Sequence, residues 1–391
     1  MSYFSGSGLY GTRRWLVVFS ISAIYVALSL NLAAQTARSD WPEYHHDNNR
    51  SGVNSNDYFI NPTNAAHLAL AWKFNSGTET VTSPAVANNI VYTSNYGGYF
   101  YALDARNGSL LWSYAYGLPH TSDSSPAVAN GVVYIGADDE YMYALNAQTG
   151  ALIWRYKTRG GIGCAPAVAN GVVYFGTNDH NIYALNASTG TLIWQYLTGG
   201  VTSAAPVVVG GVVYAGSKDD KMYAFDAATG TVLWTFTSGG PVYGQSVQNG
   251  VVYFGSFDDY LYAVNAGTGT LIWKYRTNGQ VATSPAIANG VVYFDSFDAN
   301  VYALNASTGS LIWTFAMQGE SDIAPAVVNG VVFVGANDDY VYALNAANGA
   351  LIWKYQTGGQ VQSSPAVAYG SVYVGSTDGY LYAFSVPNVG H

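Results

Sequence analysis

The sequence predicts an all-β fold, a closed ring of eight four-stranded antiparallel blades: an eight-bladed β-propeller. Three observations predict it. Eight tryptophans, Trp72, Trp112, Trp154, Trp194, Trp234, Trp273, Trp313 and Trp353, recur 39 to 42 residues apart, the period of one blade per repeat. Each interval holds short β-branched and aromatic runs separated by turn residues, as an antiparallel sheet requires. Finally, the repeats begin with an unaccompanied tryptophan strand at 68–74 and end, over 364–385, with three strands that lack one. With seven whole units between them, the two remnants complete an eighth, so the first strand docks beside the last three. Closure removes the exposed edge that the alternative, an open superhelical solenoid, would leave.

Residues 165–196 illustrate one unit. A first strand, 166–169, ends at Asn170-Gly171, which suits the positive φ angles of a type I′ hairpin. A second strand, 172–176, turns at Asn178-Asp179 into a third, 182–187. Ser188-Thr189-Gly190 then leads to the outer strand, 192–196. Tyrosines recur at fixed places. Tyr134, Tyr174, Tyr214, Tyr253, Tyr293 and Tyr373 close the second strand, with Phe333 substituting once, and Tyr143, Tyr183, Tyr223, Tyr262, Tyr302, Tyr342 and Tyr382 occupy the third. Period-two alternation puts them on faces that neighbouring blades cover, where a tyrosine ring packs and its hydroxyl reaches a partner.

Composition bounds the function. Only 9% of the 391 residues are charged, about a third of the usual share. The net charge is −9 and the 14 basic residues are scattered, so no basic footprint for nucleic acid exists. Arg13 and Arg14 precede an uncharged apolar stretch, 15–32, followed by Ala33, Ala34, Gln35 and Thr36, the layout of an export signal. Residues 12–16 weakly resemble a twin-arginine signal. The expected organisation is a signal or anchor over 1–37, a lead-in over 38–67, the propeller over 68–386 and a tail over 387–391. The protein is expected to be an exported monomer, periplasmic or extracellular, held to a membrane only through residues 15–34 if the leader is retained.

Within the seven complete units stands Ala-x-Asn-x-x-Thr-Gly-x-x-x-Trp, for example Ala184, Asn186, Thr189, Gly190 and Trp194, with Asp104 and Asp226 replacing Asn and Asn107 and Asn348 replacing Thr. This resembles the tryptophan-docking motif of the pyrroloquinoline-quinone (PQQ) repeat family over about residues 41–385. That family includes quinoprotein dehydrogenases and the non-enzymatic outer-membrane assembly lipoprotein BamB, all eight-bladed. The eight tryptophans are expected to be structural, each indole lying on a bare glycine turn of the next blade. The lead-in Trp41-Pro42-Glu43-Tyr44-His45-His46-Asp47 also resembles that of PQQ-repeat proteins. His45, His46 and Asp47 could be read as metal ligands, but adjacent histidines on an extended segment point in opposite directions and no further partner stands at metal-site spacing, so no metal is expected.

Function should lie where units depart from their own consensus, in the loops at the channel mouth. Tyr116, His120 and Asp123 mark one such loop, Arg159 a second, Tyr243 and Gln245 a third, and Glu320 and Asp322 a fourth. These are the expected ligand- or partner-binding residues. The aspartates repeated in the second-to-third-strand turns, such as Asp179 and Asp219, are read as turn formers. Cys164 takes a Ser or Ala position with no histidine placed by the motif to activate it, so no catalytic residue is assigned. The resemblance implies PQQ and calcium if the chain is a dehydrogenase, but the family's cofactor-site disulfide needs an adjacent cysteine pair and there is one cysteine. The preferred expectation is an exported, non-catalytic scaffold or binding module, BamB-like, with an envelope or extracellular protein partner and no cofactor. The alternatives are a PQQ-dependent dehydrogenase and a small-ligand or carbohydrate sensor.

Overall fold

The computed structural model describes residues 39–116 and 124–387. Asp40–His391 forms one compact unit, and its strands make eight separate four-stranded antiparallel sheets. Seven sheets take their strands in chain order. The eighth joins the strand Ala69–Asn75 to Tyr380–Ser385, which pairs in turn with Ser371–Gly375 and Ala366–Ala368. The first strand therefore closes the ring, with Trp72 opposite Ala383. We number the blades 1 to 7 from Ala85–Ala87 onward and call the composite sheet blade 8. No helix among the described residues is long and apolar enough to cross a membrane.

The local code works as the residue types demand. Asn170 and Gly171 both have positive φ, 51° and 77°, the pair of values that a type I′ hairpin needs. The third-strand tyrosines donate to the turn aspartates at 2.5–2.8 Å, for example Tyr183 to Asp179 and Tyr302 to Asp298. In blades 3 to 8 the same carboxylate accepts a backbone N–H from the preceding inter-blade connector, as Gly199 to Asp219 at 2.9 Å. The aspartate ring thus pins connectors to blades.

Tryptophan docking joins each blade to the next. A Cβ on Gly190 would lie 2.7 Å from the Trp154 indole, so only glycine leaves room for the ring. The Trp154 Nε1–H and the Tyr134 hydroxyl both donate to the carbonyl of Ala187, at 2.8 and 3.1 Å. The same convergence recurs at Ala105, Ala147, Ala227, Ala266, Ala306 and Ala346. Trp353 differs from the expectation of eight equivalent docks. Its neighbour, blade 8, leaves Ser385 without a third-to-fourth-strand turn, so Trp353 packs edge-on against Phe384 at 5.2 Å instead. Blade 7 also carries Phe333 in place of the tyrosine. Both changes fall where the accepting turn is missing.

Candidate functional site at the mouth of a blind channel

The innermost strands would present unpaired edges to the central channel, and the lead-in segment occupies them. Trp41 exchanges two backbone hydrogen bonds with Val86 of blade 1, each of 2.7 Å. Val128 then donates to the Pro42 carbonyl, Val208 to Asn48, Val247 to Asn49, Ile287 to Ser51 and Val327 to Gly52, all at 2.7–3.0 Å. The side-chain amides of Asn48 and Asn54 reach the carbonyls of Val168 and Val367 at 3.0 and 2.9 Å. A strap of about fifteen residues thereby touches all eight blades and floors the channel. These bonds hold three non-glycine residues with positive φ, His45, His46 and Arg50 at 57°, 82° and 53°, a conformation that costs on the order of 1 kcal/mol each.

Arg50 pins the strap from inside. It is fully buried, and its guanidinium donates to Glu43 at 3.1 Å, to the Pro166 carbonyl at 2.9 Å and to the Tyr44 carbonyl. Burial pushes the Glu43 carboxyl upward and the Arg50 charge pulls it back. His45 is also buried, with Nε2 2.9 Å from the Pro325 carbonyl, and burial lowers its pKa to about 4. It is a neutral packing residue. Among the described residues no three His, Cys, Asp or Glu side chains cluster to hold a metal.

Above the strap lies a cavity of ≈ 360 Å³, at the small end of the roughly 300–1,000 Å³ usual for ligand pockets. Tyr44 forms its floor, and its walls include Ser83, Ser125, Cys164, Ser203, Ser284 and Ser364. Several hydroxyls link blade to blade. Ser364 N–H donates to Ser83 Oγ at 2.9 Å, Ser83 N–H to Ser125 Oγ at 3.0 Å, and Ala324 N–H to Ser364 Oγ at 3.0 Å. Cys164 has an explicable role. Its sulfur accepts the Gly176 N–H at 3.2 Å, as Ser124 Oγ does at Gly136 and Ser363 Oγ at Gly375. Burial raises the thiol pKa to about 11, so at neutral pH it is a protonated hydrogen-bonding group and no nucleophile.

The mouth residues divide. Tyr243 and Asp322 reach the cavity, beside Tyr96 and Gln362. Tyr243 stacks on Phe257 with ring centroids 4.2 Å apart, and the Lys218 ammonium lies 5.2 Å from its centroid. Burial, and then Glu320, raise the pKa of Asp322. Arg159 and Glu320 are exposed on the connectors. Tyr116 is buried, against Tyr143 at 6.1 Å. Gln245 is fully buried too; its amide donates to the carbonyls of Ala205 and Tyr214 at 2.7 and 3.2 Å, tying blade 5 to blade 4. His120 and Asp123 lie outside the described residues.

Two features escaped the reading of the sequence. Tyr44 sits in a segment with no repeat to compare it with. Asp295 was legible, because Gly136, Gly176, Gly216, Gly255, Gly335 and Gly375 hold its place in six other blades. There a Cβ would meet the next connector at 2.1–2.6 Å.

The cavity bears on the cofactor that the resemblance implies. PQQ is a multiply charged anion, and among the described residues the only charged side chain lining the cavity is the Asp322 carboxylate, with Asp295 buried nearby. The one cysteine is engaged with Gly176. The described residues do not fit the quinone.

Comparison with known proteins agrees with the architecture. Among solved structures, the chain is similar to BamB from Moraxella catarrhalis (20% identity, TM-score 0.71, covering 81% of this chain and 99% of that one). It is similar also to the quinohemoprotein alcohol dehydrogenase from Comamonas testosteroni (18% identity, TM-score 0.78, 92% and 82%) and to a europium-containing methanol dehydrogenase (15% identity, TM-score 0.78, 91% and 100%). At these identities the likeness establishes the fold. The chain matches no curated protein. The family model described as outer membrane protein assembly factor BamB matches four overlapping stretches, 63–161, 116–241, 218–322 and 297–388, and the chain belongs to that PQQ-repeat family.

Proposed function

We propose that the protein is an exported, non-catalytic propeller that presents its channel mouth to a protein partner in the cell envelope. The observation that carries this reading is the blind channel. The strap and the inner strands consume one another's backbone groups at one end, leaving the open mouth as the surface where blades differ from one another. Tyr243, Glu320, Asp322 and Arg159 stand there, an aromatic and charged set of the kind that anchors interfaces. The match to the BamB family model supports an envelope setting. Capture from an envelope extract should recover one specific protein, and a Tyr243→Ala, Glu320→Ala double variant should lose it. Undiminished recovery would clear these residues of the role.

The likeness to alcohol and methanol dehydrogenases keeps a quinoprotein reading open to test. Addition of PQQ and calcium to the purified protein should leave its absorbance spectrum unchanged and give no dye-linked alcohol oxidation. A bound quinone chromophore with turnover would replace the scaffold reading.

A further inference from the structure

We propose that Asp295 is held as a neutral carboxylic acid in the folded ring, and that its ionisation loosens the 319–323 connector, so that proton binding at this residue governs the channel mouth. The regulatory consequence rests on the reading of the mouth given above, whereas the protonation state does not.

The first argument is steric. Six blades keep glycine at this place because the following connector presses on it, yet Asp295 is fully buried there. Ser321 makes the room, standing where other connectors place Ile162, Thr202, Val242, Val281 or Val361 against the glycine. The second argument counts protons. Ser321 Oγ contacts Asp295 Oδ2 and also lies 3.0 Å from the Gly335 carbonyl. A hydroxyl has one proton. If Asp295 is protonated, its acid donates to Ser321 Oγ and the Ser321 hydroxyl donates onward to Gly335, so both contacts are satisfied. If Asp295 is ionised, one contact faces oxygen to oxygen without a proton. The third argument is the other oxygen. Oδ1 faces the Thr283 hydroxyl, which favours the ionised form, but the contact falls short of full hydrogen-bond geometry, so it offsets only part of the cost of burying the anion.

The titratable groups facing Asp295 are Asp322 on the connector, which opposes its charge, and the Tyr44 phenol on the strap, held neutral by burial. Glu320 acts on Asp322 in the same sense. Burial accordingly moves the Asp295 carboxyl up to about 7. The Ile323 N–H also donates to Asp295 Oδ2, at 3.2 Å, so the acid holds both sides of Asp322. Ionisation creates an unscreened charge beside Asp322, and it is relieved by admitting water, which displaces the connector that bears Asp322 and Glu320.

The test is hydrogen exchange of the intact exported protein without any partner, between about pH 6 and pH 8, corrected for the intrinsic pH dependence of exchange. Protection of a peptide spanning 319–325 should fall about tenfold or more over this interval, whereas the equivalent blade 7-to-8 connector, 357–363, stays level. Asp295→Asn, which mimics the neutral acid, should abolish the fall. Unchanging protection in the native protein, or the same fall in Asp295→Asn, overturns the proposal. Should that variant not fold, carbon-detected titration of the native Asp295 carboxyl decides: a midpoint near neutrality supports it, and an ordinary midpoint of about 4 contradicts it. Because no partner enters these measurements, failure of the scaffold reading would appear separately, in the capture experiment.

Discussion

At the residue scale, the molecule is governed by where a single donor or acceptor finds its mate. Tyr174 and Trp194 both donate to the Ala227 carbonyl, so Tyr174→Phe should cost about 1 kcal/mol in denaturant unfolding. Phe333→Tyr should gain nothing, since no turn follows to accept the hydroxyl. Cys164→Ser should leave stability nearly unchanged, because serine performs the same task at Ser124 and Ser363. A large loss on that substitution would show that the thiol does more than accept the Gly176 N–H. Asp295 makes stability depend on pH. Its folded pKa is raised from 3.8 to about 7, so the unfolded chain loses its proton first. The stabilisation from the protonated acid is complete below about pH 4 and is lost as pH rises through about 7. Asp295→Asn should therefore exceed the native protein in melting temperature at pH 8, by the equivalent of a few kcal/mol, with the difference shrinking at pH 5.

At the scale of elements, the strap and the docking strands carry distinct loads. Arg50 is buried with three oxygen acceptors, so Arg50→Ala strands the Glu43 carboxylate and should cost about 3–5 kcal/mol. Joint replacement of both by apolar residues of similar size should cost less, because no charge is then left unpaired. Equal loss in the single and joint variants would contradict the pairing. Trp194→Ala removes an indole and its bond to Ala227 and should cost roughly 3–5 kcal/mol. The docking strands were legible because sevenfold repetition separates the structural residue from the incidental one. The strap was not. Its residues occur once, and the partners it satisfies lie up to 313 positions away, as with Asn54 and Val367. Gln245 was misleading for a related reason. It breaks the proline pattern, but its amide turns inward to blade 4 rather than toward the mouth.

At the scale of the whole molecule, ring closure follows from two incomplete units, a lone tryptophan strand at 68–74 and three strands over 364–385. Trp72 opposite Ala383 fulfils that arithmetic. What the repeat pattern could not convey is that the N-terminal stretch 41–54 runs along the inner strands at one side of the channel, so that the proposed partner would meet the other side. A photoactivatable cross-linking residue placed in turn at Tyr243, at Glu320 and, as control, at the outer-strand Gln195 tests this directly in exporting cells. We expect the two mouth positions to form an adduct with the same envelope protein and Gln195 to form none. Adducts only from the outer strand would place the working surface elsewhere and contradict the account.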